Sequence, residues 1–138
     1  MLNKQFILSW LAAFVAMNIY GFGVYVHLLA DFYAANLGEI AYRPEGTEKM
    51  EWLMLGYILM SYTMVRIFIH GYKDKGTVEA VRFGLLVGVF WSSIEFFNYA
   101  FMPGTFNAMW VGFFANIGFF IFTSIIMAKV YKITGANS

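Results

Sequence analysis

Glu95 is a carboxylic acid set inside the run Phe90-Trp91-Ser92-Ser93-Ile94-Glu95-Phe96-Phe97-Asn98, where its neighbours are apolar groups, hydroxyls and an amide. At the depth of a hydrocarbon layer an ionised carboxylate is costly, so the group must face a protein interior, find a partner or keep its proton. Two roles follow: a proton-sensitive or ligand-contacting group, or a hydrogen-bonded tether between helices. On a helix, Trp91, Glu95 and Asn98 share a face through i, i+4, i+7 spacing. His27 and Asp31 form a second i, i+4 pair, and Asn116 places an amide inside the last apolar stretch. His27, Asp31, Glu95 and Asn98 thus make a candidate constellation near one membrane face, with Asn18 and Asn116 deeper. For the asparagines, interhelical hydrogen bonding is the expected role.

Other chemistry is poorly supplied. His27 and Asp31 offer two metal ligands and Glu95 a third, but no His-x-x-x-His or Glu-x-x-His pattern supports them, so no metal is expected. His70 belongs to the opposite membrane face, so the two histidines cannot clamp one macrocycle. Without cysteine, disulfides, thiolate catalysis and Cys-ligated clusters are excluded. Ser92-Ser93 beside Glu95 resembles an activated nucleophile, yet no base accompanies it on that helix. Nucleophile elbow, phosphate loop and dinucleotide turn are all missing from the sequence. No catalytic residue is therefore expected, and an enzyme would need residues meeting from different helices. No cofactor is expected either; bound lipid, quinone or pigment is compatible with the aromatic content.

The elements that must position these groups are four apolar stretches, at residues 6–30, 52–69, 83–102 and 108–130. Each is about the length an α-helix rising ~1.5 Å per residue needs to cross a ~30 Å hydrocarbon layer. Apolar residues make up 61% of the 138, charged residues only 12%, and mean hydropathy is +0.66. A soluble domain carries about twice that charge fraction. The expected fold is an all-α membrane protein: one domain over residues 1–138, with four transmembrane helices (about 6–30, 52–70, 79–102 and 107–131) in an antiparallel bundle. Lys4 followed by an apolar run imitates a secretory signal, but the run exceeds the usual apolar core of one, so a retained helix is expected. A net charge of +1, with basic residues spread among loops, gives no case for nucleic acid.

Orientation follows from the basic residues. Lys4, Arg66, Lys73, Lys75, Arg82, Lys129 and Lys132 flank three regions that an even number of crossings puts on one side. The other side holds Arg43 and Lys49, in a loop at 31–51 that also carries Asp31, Glu39, Glu45, Glu48 and Glu51. Both termini are expected to be cytoplasmic. Glu95 then lies about two-thirds of the way across, some ~9–10 Å short of the outer end.

In the outer loop, Arg43-Pro44-Glu45-Gly46 reads as a turn, and Thr47 as the cap leading into helix two. Thr77 is the expected cap of helix three, and Met102-Pro103-Gly104-Thr105 a tight turn between helices three and four. Arg66 and His70 read as snorkelling anchors. Gly84 and Gly88 form a small-xxx-small pair whose expected role is packing within the bundle, a dimer interface being the alternative. Trp52, Tyr99, Tyr72 and Tyr131 fit interfacial belts.

The stretches Leu28-Leu-Ala-Asp-Phe-Tyr-Ala-Ala-Asn36, Arg43-Pro-Glu45, Leu55-Gly-Tyr57, Gly71-Tyr-x-x-Lys-Gly76 and Arg82-Phe-Gly-Leu-Leu-Val-Gly88 together resemble a group of small bacterial four-helix membrane proteins of uncharacterised function. The resemblance covers about residues 20–104, the last helix being similar in character but not in motif. It implies a bacterial inner-membrane protein with four crossings, and it carries over no catalytic residues.

Two functions are therefore expected. One is a non-catalytic accessory or structural subunit of a larger membrane complex, with other membrane subunits as partners. The alternative is a small homo-oligomeric ligand-binding protein or transporter with its site around Glu95.

Overall fold

Asn3 opens the first helix by accepting the Phe6 amide at 2.8 Å, so helix begins at Lys4, ahead of the apolar boundary. The computed structural model describes residues 3–37, 43–44 and 46–136. Its elements are α1 (Lys4–Tyr20), a π-helical segment (Gly21–Leu28), α2 (Ala30–Leu37), α3 (Met50–Gly71), α4 (Thr77–Ser92), α5 (Ile94–Phe101) and α6 (Phe106–Ala136). There is no strand among the described residues. Four continuous stretches, Lys4–Leu28, Met50–Gly71, Thr77–Phe101 and Phe106–Ala136, are long and apolar enough to cross a membrane.

The first stretch is not the single α-helix that the sequence leads one to expect over 6–30. After Tyr20 the chain widens into a π-helix, and the Leu29 amide closes it by bonding to the Val24 carbonyl at 2.8 Å, five residues back. Gly21, at the start of this segment, lies against the Tyr57 ring, and any side chain there would run into the Tyr57 hydroxyl. Beyond Leu29 the aromatic half of the outer loop forms its own short helix, α2. The third stretch is also interrupted, at Ser92–Ser93. Both the amide and the hydroxyl of Ser93 bond to the Val89 carbonyl, at 3.1 and 2.8 Å, and α5 starts again at Ile94.

Two expected caps are corrected. The Thr47 hydroxyl and amide both turn back to the Pro44 carbonyl, at 2.6 and 3.0 Å, so α3 starts at Met50 without a side-chain cap. Gly76, at φ 72, makes the turn into α4, which leaves Thr77 as the first helical residue. No side chain caps α4; Glu79, in its first turn, instead braces the preceding loop, its carboxyl oxygens accepting the Lys73 and Lys75 amides at 2.6 and 2.9 Å. Residues 38–42 and Glu45 of the expected outer loop lie outside the described residues. At the far end, α6 runs five residues beyond the expected limit of 131, to Ala136.

α6 is the central helix, packing most extensively on α4 and then on α1, while α3 lies against α1. The α4 face is a ladder of small residues, Ala80, Gly84, Gly88 and Ser92, all buried and spaced by four. A Cβ on Gly84 would come within 2.6 Å of the Ile121 Cα, so the two backbones are as close as the absence of a side chain allows. The hydroxyls of Ser92, Thr123 and Ser124 lie in the interior without a hydrogen-bond partner. Their small volume is what the close approach needs. Around this contact, Phe6, Met17, Val65, Phe68, Phe120 and Met127 form the apolar core.

Burial is uneven along the helices. On α3 the buried residues are Ser61, Met64, Val65 and Phe68, all in its second half. Residues 50–60 are half-buried or exposed, with Trp52 67% exposed. The part of the molecule near Tyr25, Tyr57 and Glu95 is correspondingly looser, and two cavities open there.

Candidate functional site

α5 and α6 bring Glu95 and Asn116 together. Asn116 Nδ2 donates to Glu95 Oε1 at 2.9 Å, and Asn116 Oδ1 accepts a short hydrogen bond from the Tyr25 hydroxyl. The result is a relay across three membrane stretches, from Tyr25 through Asn116 to Glu95. Asn98, one turn along α5, lines the same cavity as the carboxyl. Gly112 makes room for the acid on α6: a Cβ there would fall 2.9 Å from Glu95 Cδ.

Each member depends on a local feature of the backbone. Tyr25 lies in the π-helical segment, where bonding over five residues brings Tyr20 and Tyr25 to one side, their ring centroids 6.0 Å apart. The Tyr20 hydroxyl donates to the Ala115 carbonyl at 2.8 Å, fastening this segment to α6 next to Asn116. Glu95 sits in the first turn of α5, just after the Ser92–Ser93 interruption. Two of the four membrane stretches therefore leave regular α-helical geometry beside the same polar cluster.

A cavity of about 300 Å³ opens beside Glu95, and its walls include Tyr25, Tyr33, Asn98, Tyr99 and Asn116. Its rim is held by α2. The Thr105 amide donates to the Asn36 carbonyl at 3.1 Å, and the Thr105 hydroxyl to Asn36 Oδ1 at 2.7 Å. Thr105 Oγ1 also accepts the Ala108 amide at 3.2 Å, so one residue caps α6 and ties the end of α2 to it. A second cavity, of about 550 Å³, lies between the π-helical segment and α3; Arg43, Glu48 and Tyr57 are among its lining residues. Tyr25 and Tyr33 border both cavities.

Of the residues singled out from sequence, Glu95, Asn98 and Asn116 line the first cavity. Trp91 faces α6 one turn away, its ring 6.1 Å from that of Phe120, and lines neither cavity. His27 is exposed at the end of the π-helical segment, and Asp31 is exposed in the first turn of α2, where a carboxylate suits the helix dipole. Neither lines either of these two cavities. Asn18 spends its amide on the Phe14 carbonyl of its own helix, at 2.8 Å. Among the described residues no three His, Cys, Asp or Glu side chains group where a metal ion could be held. Gly84 and Gly88 serve the α4–α6 contact.

Tyr25, Tyr33 and Gly112 are site residues that sequence reasoning missed, and Tyr99, read from sequence as part of an interfacial belt, lines the cavity. The α-helical period hides Tyr25, because only the π-helical turn brings it onto the side of Tyr20. Gly112 carried a weak signal, as one of the glycines within the last apolar stretch. Comparison of this chain with family models, curated proteins and solved structures finds no match.

Proposed function

We propose that this chain is a small non-catalytic membrane protein that binds a ligand in the cavity beside Glu95, as a homo-oligomeric binding protein or transporter. The observation that carries this reading is the cavity itself. A membrane-depth carboxyl is held by an amide from another membrane stretch, itself steadied by a tyrosine from a third, yet still borders about 300 Å³ of open space. A purely structural tether would be sealed by packing. The irregular backbone at Gly21–Leu28 and at Ser92–Ser93 supports the same reading, since interrupted helices within a membrane commonly line binding sites.

The accompanying arrangement is an antiparallel four-helix bundle in a bacterial inner membrane, with both termini cytoplasmic. Its support is the charge distribution: seven of the nine Lys and Arg residues fall on the side of the termini. A second reading, an accessory subunit of a larger membrane complex, draws on one observation. No residue of 50–60 on α3 is fully buried, and Trp52, Leu53, Leu55 and Leu59 leave an apolar surface open to a neighbouring subunit or to lipid.

Gentle extraction from the native membrane, followed by intact-mass measurement, separates the two. A stoichiometric small molecule that is lost in Glu95→Gln is the expected result. A fixed set of other subunits with no small molecule would replace the binding reading with the accessory one.

A further inference from the structure

The cavity beside Glu95 sets one carboxyl among aromatic rings and neutral amides. Tyr25, Tyr33 and Tyr99 contribute to its walls, and no lysine, arginine or histidine is among the described residues that line it. Arg43 lines the neighbouring cavity instead, and His27 lines neither. Asn116 donates to Oε1, but an amide carries no charge to balance a carboxylate. In so apolar a setting an anionic carboxyl is sustained by an opposite charge, and the described residues bring none to this cavity. Aromatic faces add attraction for a positive group within about 6 Å of a ring centroid.

Resting on the ligand-binding reading above, we infer that the site takes a small organic cation, with its ammonium or other onium group seated against Glu95 between tyrosine rings. An anionic ligand meets repulsion from the carboxylate. A hard metal ion needs several oxygen ligands within ~2.0–2.6 Å, which one carboxyl and the neighbouring amides do not supply. The cavity volume is at the lower end of the range for small-molecule sites, which restricts the ligand to modest size.

The test uses the full-length protein in lipid nanodiscs, titrated with benzyltrimethylammonium and with neopentylbenzene, a neutral compound of the same shape. Empty nanodiscs correct for partitioning. The expected result is saturable binding of the cation about tenfold tighter than of the neutral compound. Glu95→Asp, which keeps the charge, should retain that preference and Glu95→Gln should abolish it. Equal binding of the two compounds, or a preference that survives Glu95→Gln, overturns the cation inference and leaves a ligand site standing. No saturable binding of either compound also overturns it; the ligand-binding reading falls as well only if intact-mass measurement finds no small molecule either. Should Glu95→Gln fail to fold, Tyr99→Leu keeps the charge and removes one ring. It should weaken the cation severalfold and leave the neutral compound nearly unchanged, whereas equal weakening of both overturns the inference.

Discussion

A Cβ placed on Gly112 would come within 2.9 Å of Glu95 Cδ and within 3.2 Å of both carboxyl oxygens. The obstacle is the end of a side chain that can rotate. At Gly84 the obstacles are backbone atoms, the Ile121 Cα at 2.6 Å and the Phe120 carbonyl oxygen at 2.8 Å. Gly112→Ala should therefore fold with a stability loss under about 1 kcal/mol, while moving the carboxyl off Asn116. Gly84→Ala must push α4 and α6 apart and should cost about 1–3 kcal/mol. Thermal unfolding of both variants in one detergent checks the order. Infrared spectra of the carboxyl band should change for Gly112→Ala and not for Gly84→Ala.

The relay from Tyr25 through Asn116 to Glu95 predicts non-additive mutations. Removing the Tyr25 hydroxyl or the Asn116 amide alone leaves a polar group of the other partner unanswered. Removing both leaves less unanswered than the two single losses added together. In a cycle of Tyr25→Phe, Asn116→Ala and the double variant, the coupling should be about 0.5–1.5 kcal/mol. Strict additivity would mean that the two side chains act independently.

Where α3 meets α4, Lys132 reaches Asp74 at 3.1 Å and the Tyr72 hydroxyl donates to Asp74 at 2.9 Å. The hydrogen bond from Lys132, then the one from Tyr72, hold the Asp74 carboxyl below the usual carboxylate range. Burial, and then the bond to Asp74, push the Tyr72 hydroxyl up to about 12. A carboxyl that is more acidic in the folded state stabilises the fold above its unfolded value, and that contribution is lost as pH falls through the folded value. The stability difference between wild type and Asp74→Asn should thus be present at neutral pH and be lost as the pH falls below the ordinary carboxylate range. It should be small and weakened by salt, because the ion-paired side chains are 58% and 60% exposed. Tyr72 has the opposite sign: its contribution is present below its ordinary ionisation and disappears as pH rises through about 12. Phenolate absorbance measured against Tyr72→Phe reads that midpoint, and Asp74→Asn should lower it.

The four membrane stretches were legible because length and apolarity are properties of consecutive residues, and a hydrocarbon layer demands about the same span from every crossing helix. Glu95 stood out for the same reason, as a carboxyl in a run that otherwise lacks charge. The Gly84–Gly88 pair was visible through its spacing, although Ala80 and Ser92 complete the ladder only once α6 is seen against it. Interruptions were harder to read. Ser92-Ser93 carries no proline, and the π-helical turn at Gly21–Leu28 has no sequence period of its own. The expected grouping of His27 and Asp31 with Glu95 assumed one regular helix through residue 30. The break at Leu29 puts Asp31 on a separate helix instead.

By itself, the sequence determined that the chain has four helices suited to a membrane and that one of them carries a costly acid. Those facts follow from the transfer energetics of residues in order along the chain. The tertiary structure decided what the acid touches. Asn116 lies 21 residues from Glu95 and the Tyr25 hydroxyl 91 residues from Asn116, while Thr105 clips onto Asn36 across 69 residues. Such partners are chosen by how helices pack and where they bend. A local pattern cannot encode that choice, because each contact depends on the shape of both surfaces at once.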